Sequence, residues 1–297
     1  MTQVLHHRAQ LDDLPAVAGR TAVVMTMGAL HDGHASLVHG ARGLVGPDGR
    51  VIVTVFVNPR QFGAGEDFDR YPRTLDADVR ASADAGADVV FAPDVDEVYP
   101  PVGSPAAAIM IDPGPLGSEL EGAARPGHFS GMLTVVAKLM QMTRPDVALF
   151  GEKDYQQLVL VRAMAQALDF PVEIIGMPTV READGLAMSS RNRYLSPEAR
   201  RAAAQIPMAL ADGQQAAADG PQAVVDAVRR RLDQATTSSG VPVSIDYVVV
   251  RGLDLEPAPE IGPARLLATV IVDGTRLLDN VDLHLGPPGL DEMACAR

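Results

Sequence analysis

The amino-acid sequence predicts an α/β protein in two parts. A parallel sheet wound with helices is expected over residues 1–179, and a smaller α+β domain containing an antiparallel hairpin over 180–297. Three observations predict it. Apolar, β-branched runs alternate with helical patterns through the first 180 residues, as strands buried on both faces do. In the tail the helical patterns come first and the strands last. A chain of 297 residues also exceeds the roughly 100–200 residues of one domain.

Taken in order, 21–27 reads as a strand closed by Gly28, with a helix from about 33 to 42. A stronger strand over 51–57 ends at Asn58-Pro59. A helix over 74–85 stops at Gly86, and strand 89–91 follows. Met132, Leu133, Val136, Leu139 and Met140 recur at helical spacing within 130–143, and Pro145 lies just past that helix. Strand 147–150, helix 155–168 and strand 172–175 complete the alternation. In the tail, helical patterns over 197–211 and 221–235 precede strand 245–250, and Asp273-Gly274 joins 266–272 to 275–281 as a hairpin. The Ala-rich 214–219 reads as a solvated helix end or linker, and Gly286-Pro287-Pro288-Gly289 with the last eight residues as a frayed end.

Composition narrows function. Lys and Arg total 25 against 38 Asp and Glu, a net charge of −13, which argues against broad binding to nucleic acid or an anionic membrane. Any polyanionic ligand must be met by a few cations placed locally. Cys295 is the only cysteine, so there is no intramolecular disulfide and no Cys-based zinc site. No apolar run is long enough to span a membrane, and residues 1–8 lack the apolar core of a secretory signal, so a cytoplasmic protein is expected.

Three polar constellations fall at predicted strand ends, where sheets of this kind bind ligands. The first is Met25-Thr26-Met27-Gly28-Ala29-Leu30-His31-Asp32-Gly33-His34. Its glycines let main chain approach a ligand, the following helix offers N–H groups to phosphate, and His31 and His34 are spaced to share a helical turn. Read alone, the same spacing fits two capping or partly buried histidines equally well. The second is Gly151-Glu152-Lys153-Asp154-Tyr155-Gln156-Gln157. The chain has only two lysines, and the compact ammonium of Lys153 suits a phosphate contact. Asp154 suits ribose hydroxyls, although acids in a first helical turn need no ligand. The third, Met188-Ser189-Ser190-Arg191-Asn192-Arg193-Tyr194, has the makings of a mobile phosphate clamp and also of an ordinary interdomain turn. Gln61 after the second strand and His128 at a helix start are further candidates. Asp76 and Asp78 begin a helix, where solvated acids are commoner than magnesium ligands.

Taken together the motifs are far more specific. Thr-Met-Gly-Ala-Leu-His-Asp-Gly-His (26–34), Phe-Val-Asn-Pro-Arg-Gln-Phe-Gly (56–63), Tyr-Pro-Arg-Thr (71–74), Gly-His-Phe-Ser-Gly (127–131), Gly-Glu-Lys-Asp-Tyr-Gln-Gln-Leu (151–158) and Met-Ser-Ser-Arg-Asn-Arg-Tyr-Leu (188–195) occur in one order. This series closely resembles the pantoate–β-alanine ligase family, densely to about residue 200 and more loosely to about 285. The first constellation then resembles the His-x-Gly-His signature of a nucleotidyltransferase superfamily.

The resemblance implies a Rossmann-like catalytic domain for ATP and pantoate over 1–179, with a C-terminal lid over 180–297. It implies condensation of pantoate with β-alanine through a pantoyl-adenylate, with release of AMP and pyrophosphate. Met27, Gly28, His31 and His34 would line ATP, His34 as proton donor or charge stabiliser. Gly151, Glu152, Lys153 and Asp154 would bind ATP, Lys153 on phosphate and Asp154 on ribose. Val180 would contact the adenine side, while Met188, Ser189, Ser190 and Arg191 close over the phosphates. Gln61 and Gln157 would hold pantoate, with His128 among the substrate-binding residues. Asp78 would contact the Mg2+ that accompanies ATP, although Ala77 stands where some relatives carry a second Asp. Met25 replaces a Pro usual in the family, and Asp32 a commoner Glu. A homodimer is implied, with neither nucleic acid nor membrane as partner. Two other readings stand beside this one: a nucleotidyltransferase that stops at an adenylated product, and a nucleotide-binding regulator on the same fold.

Overall fold

The structure, a computed structural model, describes residues 2–63 and 68–287. Cys295, the last eight residues and part of the Pro/Gly-rich 286–289 stretch lie outside the described residues. The chain forms two compact units: Met1–Glu152 with Gln156–Pro178, and Lys153–Tyr155 with Thr179–Arg297.

In the first unit β1 (Gln3–Leu5), β2 (Thr21–Thr26), β3 (Arg50–Val55), β4 (Val89–Phe91), β5 (Val147–Gly151) and β6 (Glu173–Met177) make one parallel sheet. Their order is β1-β4-β3-β2-β5-β6. From β2 the chain steps through β3 to β4 on one side, then returns to lay β5 and β6 on the other. The direction of winding therefore switches between β2 and β5, the place where a parallel sheet leaves a crevice beyond its strand ends.

The apolar runs form strands because both faces are covered. Val23, Ile52 and Ala148 enter one core cluster, while Ala22, Val24, Val51, Val53 and Leu149 enter the other. Helix α1 (Asp32–Val45) closes the second cluster with Val38, Ala41 and Val45. Helix α2 (Leu75–Asp84) follows β3 in the chain. Helix α3 (His128–Thr143) buries all five of its predicted apolar residues in the first cluster, joined there by Leu158 and Val161 of α4 (Tyr155–Ala167). Burying each such side chain contributes roughly 1.5–3 kcal/mol.

The second unit opens with α5 (Pro197–Ala203), α6 (Gln205–Gln215) and α7 (Pro221–Ser239). Strands β7 (Val243–Arg251), β8 (Gly262–Val272) and β9 (Thr275–Leu285) form an antiparallel sheet in that order. Asp273 and Gly274 have φ of 48° and 77°, the double left-handed turn that a two-residue hairpin uses.

One expectation needs correction. The single helix over 197–211 is divided at Ala204, because Pro207 has no N–H to donate to the carbonyl of Ala203. The Ala-rich 214–219 is the solvated helix end expected, with Gln214, Gln215, Ala218 and Asp219 exposed and Ala217 buried. In addition β1 had not been anticipated; it pairs in parallel with β4, Leu5 opposite Phe91.

Candidate active site

In the first unit the residues after β2 form a turn that fixes two imidazoles. Thr26 donates its hydroxyl proton to Thr54 O at 2.8 Å and accepts Gly28 N–H at 3.1 Å. Gly28 and Ala29 then take φ of 82° and 51°. A Cβ on Gly28 would lie 3.0 Å from Asp78 Oδ2 and 3.1 Å from Val55 Cγ1, so both backbone sign and space call for glycine there. His31 caps α1: Gly33 N–H donates to His31 Nδ1 at 3.1 Å, and His31 N–H reaches His34 Nδ1 at 3.4 Å. The two rings lie 4.1 Å apart between centroids. Each Nδ1 thus accepts from the main chain, which puts the proton of the neutral ring on Nε2 and makes that atom a donor. The capping reading of these histidines holds, and the cap favours the tautomer that leaves Nε2 as the donor.

Gln61 ends a short turn, Pro59–Gln61, that follows β3. Asn58 holds it, donating from Nδ2 to Gln61 Oε1 and to Gly131 O, each at 3.1 Å, while Tyr99 Oη donates to Asn58 Oδ1 at 2.7 Å. Burial raises the pKa of Tyr99 far above the ordinary phenol range, so this donor keeps its proton at any working pH. Gln61 Nε2 lies 3.1 Å from the Met27 sulfur, and Gln61 O meets His128 Nδ1 at 2.8 Å. Met27, Gln61 and His128, far apart in sequence, are therefore neighbours. Gly131 permits this, because a Cβ there would sit 2.0 Å from Arg60 O.

Gln157 is half-buried, and among the described residues no hydrogen bond engages its side chain. Its neighbour Gln156, which sequence reasoning passed over, is 3% exposed and ties down the 116–121 loop by accepting from Glu121 N and donating to Leu116 O and Glu119 O. Met25, partly buried, packs against the core.

In the second unit Lys153, Ser189 and Arg191 line one narrow cleft, together with Asn192, Arg276 and Asp279. Residues 180 and 188 pair through Met188 N–H to Val180 O at 2.9 Å. Ser189 caps the turn Ser190–Tyr194 by accepting Arg191 N–H at 3.3 Å. Asn192 fastens that turn, donating from Nδ2 to Glu182 Oε1 and Ala187 O. Arg200 in turn grips Glu182 at 2.8 Å and Asp184 at 2.6 Å. Hydrogen bonds from Arg200 hold both carboxyls below their ordinary range, so the clasp is fully charged at neutral pH.

Lys153 is held from behind. Asn280, 2% exposed, donates from Nδ2 to Lys153 O at 2.8 Å and accepts Arg265 Nε at 2.6 Å. Arg265 also lies over the Tyr155 ring, and Tyr155 Oη donates to Leu253 O. Lys153 Nζ is 3.7 Å from Asp154, whose side chain is half exposed. Neither Asn280 nor Arg265 could be picked from sequence, since their importance lies in contacts far along the chain.

The expected magnesium contact does not match its surroundings. Asp78 is 2% exposed, and its oxygens accept from Ala29 N, Leu30 N and Thr74 Oγ1. Ala77 beside it brings no carboxylate, and among the described residues no three His, Cys, Asp or Glu gather as metal ligands. Magnesium asks for a near-octahedral oxygen shell that keeps several waters, which this donor set does not fit.

A parallel sheet with imidazoles beyond its middle strand in one unit, and a cleft carrying Lys153, Arg191 and Arg276 in the other, fit a class: α/β enzymes acting on phosphate-bearing substrates. The comparisons specify it. The family model for pantoate-beta-alanine ligase matches residues 1–282. A pantothenate synthetase of Salinispora arenicola is 53% identical, the match covering 97% of this chain and 99% of that one. One from Streptomyces coelicolor is 50% identical over 91% and 93% of the two chains. Among solved structures, the pantothenate synthetase of Thermus thermophilus superposes with a TM-score of 0.83 at 42% identity, covering 94% of this chain and 99% of that one. A pantoate-beta-alanine ligase from Francisella tularensis, complexed with beta-gamma ATP and beta-alanine, gives 0.74 at 31% identity over 95% and 97%. The chain belongs to the pantoate–β-alanine ligase family. Among the described residues no helix is long and apolar enough to cross a membrane.

Proposed function

We propose that this protein uses ATP to condense pantoate with β-alanine, in the cytoplasm and as a homodimer. The observation that carries the reading is the cleft on which Lys153, Ser189 and Arg191 meet, in a chain that matches the ligase family over nearly its whole length.

The chemistry asks for alignment and charge more than for a base. Pantoate's carboxylate is already ionised at neutral pH. One of its oxygens attacks the α-phosphorus of ATP, the bond from that phosphorus to its bridging oxygen breaks, and pyrophosphate leaves with the bond's electron pair. His34, with His31 beside it, donates from Nε2 to the phosphate oxygens as charge shifts, while Lys153 and Arg191 neutralise the leaving group. Gln61, Gln157 and His128 orient pantoate, and Met27 and Gly28 give its target phosphate main chain to lie against. Gly151, Glu152 and Asp154 bind the nucleotide, Asp154 on the ribose; Val180 takes the adenine side, and Met188, Ser189 and Ser190 close over the phosphates with Arg191. Magnesium enters as part of the nucleotide substrate. The uncharged amine of β-alanine then attacks the acyl carbon, AMP departs, and the nitrogen sheds its proton to water.

A coupled AMP-release assay with each substrate omitted in turn tests this. AMP release is expected only when ATP, pantoate and β-alanine are all present. Pyrophosphate release with a stable adenylate that β-alanine leaves untouched would instead identify an adenylyl transferase. A single species of twice the chain mass in sedimentation is the expected assembly.

A further inference from the structure

We propose that Asp78 is a positioning residue for the adenylation step: its buried carboxylate shapes the turn that carries His31 and His34, and it does not hold magnesium. This rests on the function proposed above, because only in that reaction do the two imidazoles need a set geometry.

The turn and the carboxylate are fitted to one another. Leu30 N–H donates to Asp78 Oδ1 at 2.8 Å, and Ala29 N–H to Oδ2 at 3.1 Å. Thr74 Oγ1 donates to Oδ2 at 3.2 Å from the residue that precedes α2. Ala29 takes a left-handed φ of 51°, a conformation that a residue with a Cβ adopts at a cost unless its surroundings hold it. Two adjacent main-chain N–H groups meeting one ionised acceptor supply that hold, since hydrogen bonds to a charged partner are about twice as strong as neutral ones. Gly28 leaves no spare room above the carboxylate. The turn so fixed leads directly into His31, whose own N–H reaches His34 Nδ1. Displacement of residues 29 and 30 would therefore move the cap that sets both ring positions.

The Asp78→Asn variant of the full chain tests this, because it keeps the side chain's size and replaces one accepting oxygen by an NH2 group. Three quantities are read: pyrophosphate release from ATP and pantoate across magnesium concentrations, the imidazole NMR signals of His31 and His34, and the melting temperature. We expect adenylation to fall by roughly 10–100-fold, the scale of a displaced catalytic group. The loss should be the same at every magnesium concentration, with the half-saturating concentration unchanged and both imidazole signals displaced. A half-saturating concentration that rises, with the rate restored by excess magnesium, would overturn the proposal in favour of a metal ligand. Unmoved imidazole signals with an undiminished rate would reduce Asp78 to a stabilising role only. Should the variant fail to fold, the wild-type protein still decides: Mn2+ alone, as a paramagnetic probe, should leave the Ala29 and Leu30 amide signals sharp, and broadening of either would sink the idea. If wild-type protein released no pyrophosphate, the proposed function would fall, while the displaced signals would still report the positioning role.

Discussion

The turn after β2 and the cleft beside Lys153, the two regions proposed to meet the nucleotide, are held in different ways. Residues 28–34 are fixed by main-chain N–H groups that donate to a carboxylate 2% exposed, to Thr26 and to the histidines' own rings. Residues 188–194 are fastened by Asn192 to Glu182, and Glu182 and Asp184 by Arg200, where the charged groups stay 27–34% exposed. Buried hydrogen bonds to an ionised acceptor are costly to break, whereas ion pairs near solvent contribute only about 0.2–1 kcal/mol. The first turn is therefore held by buried and part-buried bonds, whereas the second adds to its buried Asn192 contacts a clasp of partly exposed ion pairs that exchange more easily. Preorganisation suits donors that must be aimed before charge develops. An adjustable hold suits groups that must admit a nucleotide and release AMP.

The sharpest way to break this contrast is to remove one proposed donor from each side. His34→Ala and Lys153→Ala should each lower adenylation by roughly 10²–10³, read as single-turnover pyrophosphate release. Near-normal turnover in either would strip that side of its role. A smaller effect is expected from Asn280→Ala, which leaves Lys153 O and the Arg265 guanidinium without their shared partner. It should cost about 1–3 kcal/mol of stability, read by chemical denaturation, and weaken ATP binding more than pantoate binding. Gly131→Ala would push a Cβ against Arg60 O and should destabilise by about 1–3 kcal/mol, raising KM for pantoate while leaving the ATP KM in place.

The smallest effect concerns pH. The Glu182 and Asp184 carboxyls titrate lower in the folded protein than unfolded, because Arg200 stabilises their charged forms. The unfolded chain thus takes up protons first as pH falls. The contribution of the clasp is complete above the ordinary carboxylate range near about pH 4 and fades as pH drops through the lowered folded values. Hydrogen exchange in 188–194 should rise over that interval, and Arg200→Ala should give the same rise at neutral pH, with little further change on acidification.

Much of the layout was legible because it is local. Strands 89–91 and 147–150 announce themselves as apolar β-branched runs, and the His-x-Gly-His turn is contiguous in sequence. β1 was not legible, since three residues carry no period and its partner β4 lies more than eighty residues on. Asp78 shows the same limit at the site. From sequence it is an acid in a first helical turn, and family resemblance offered it to a metal. Its place becomes apparent only when amides 48 and 49 residues away are seen to point at it. Asn280 acts across 127 residues and gave no signal at all. The candidate groups could be named from the chain because their motifs are contiguous, but the residues that hold them in place could not, because those contacts span the sequence.

Residues 153–155 cluster with the second unit although β5 before them and most of α4 after them belong to the first. The tripeptide is thus a loan across a boundary that the chain crosses more than once. A gene fragment cut near residue 179 would encode Lys153 and Tyr155 without Leu253, Arg265 or Asn280 to receive them. Recombination between distant relatives could not exchange the C-terminal half as a cassette unless it also rewrote a few codons deep inside the N-terminal half.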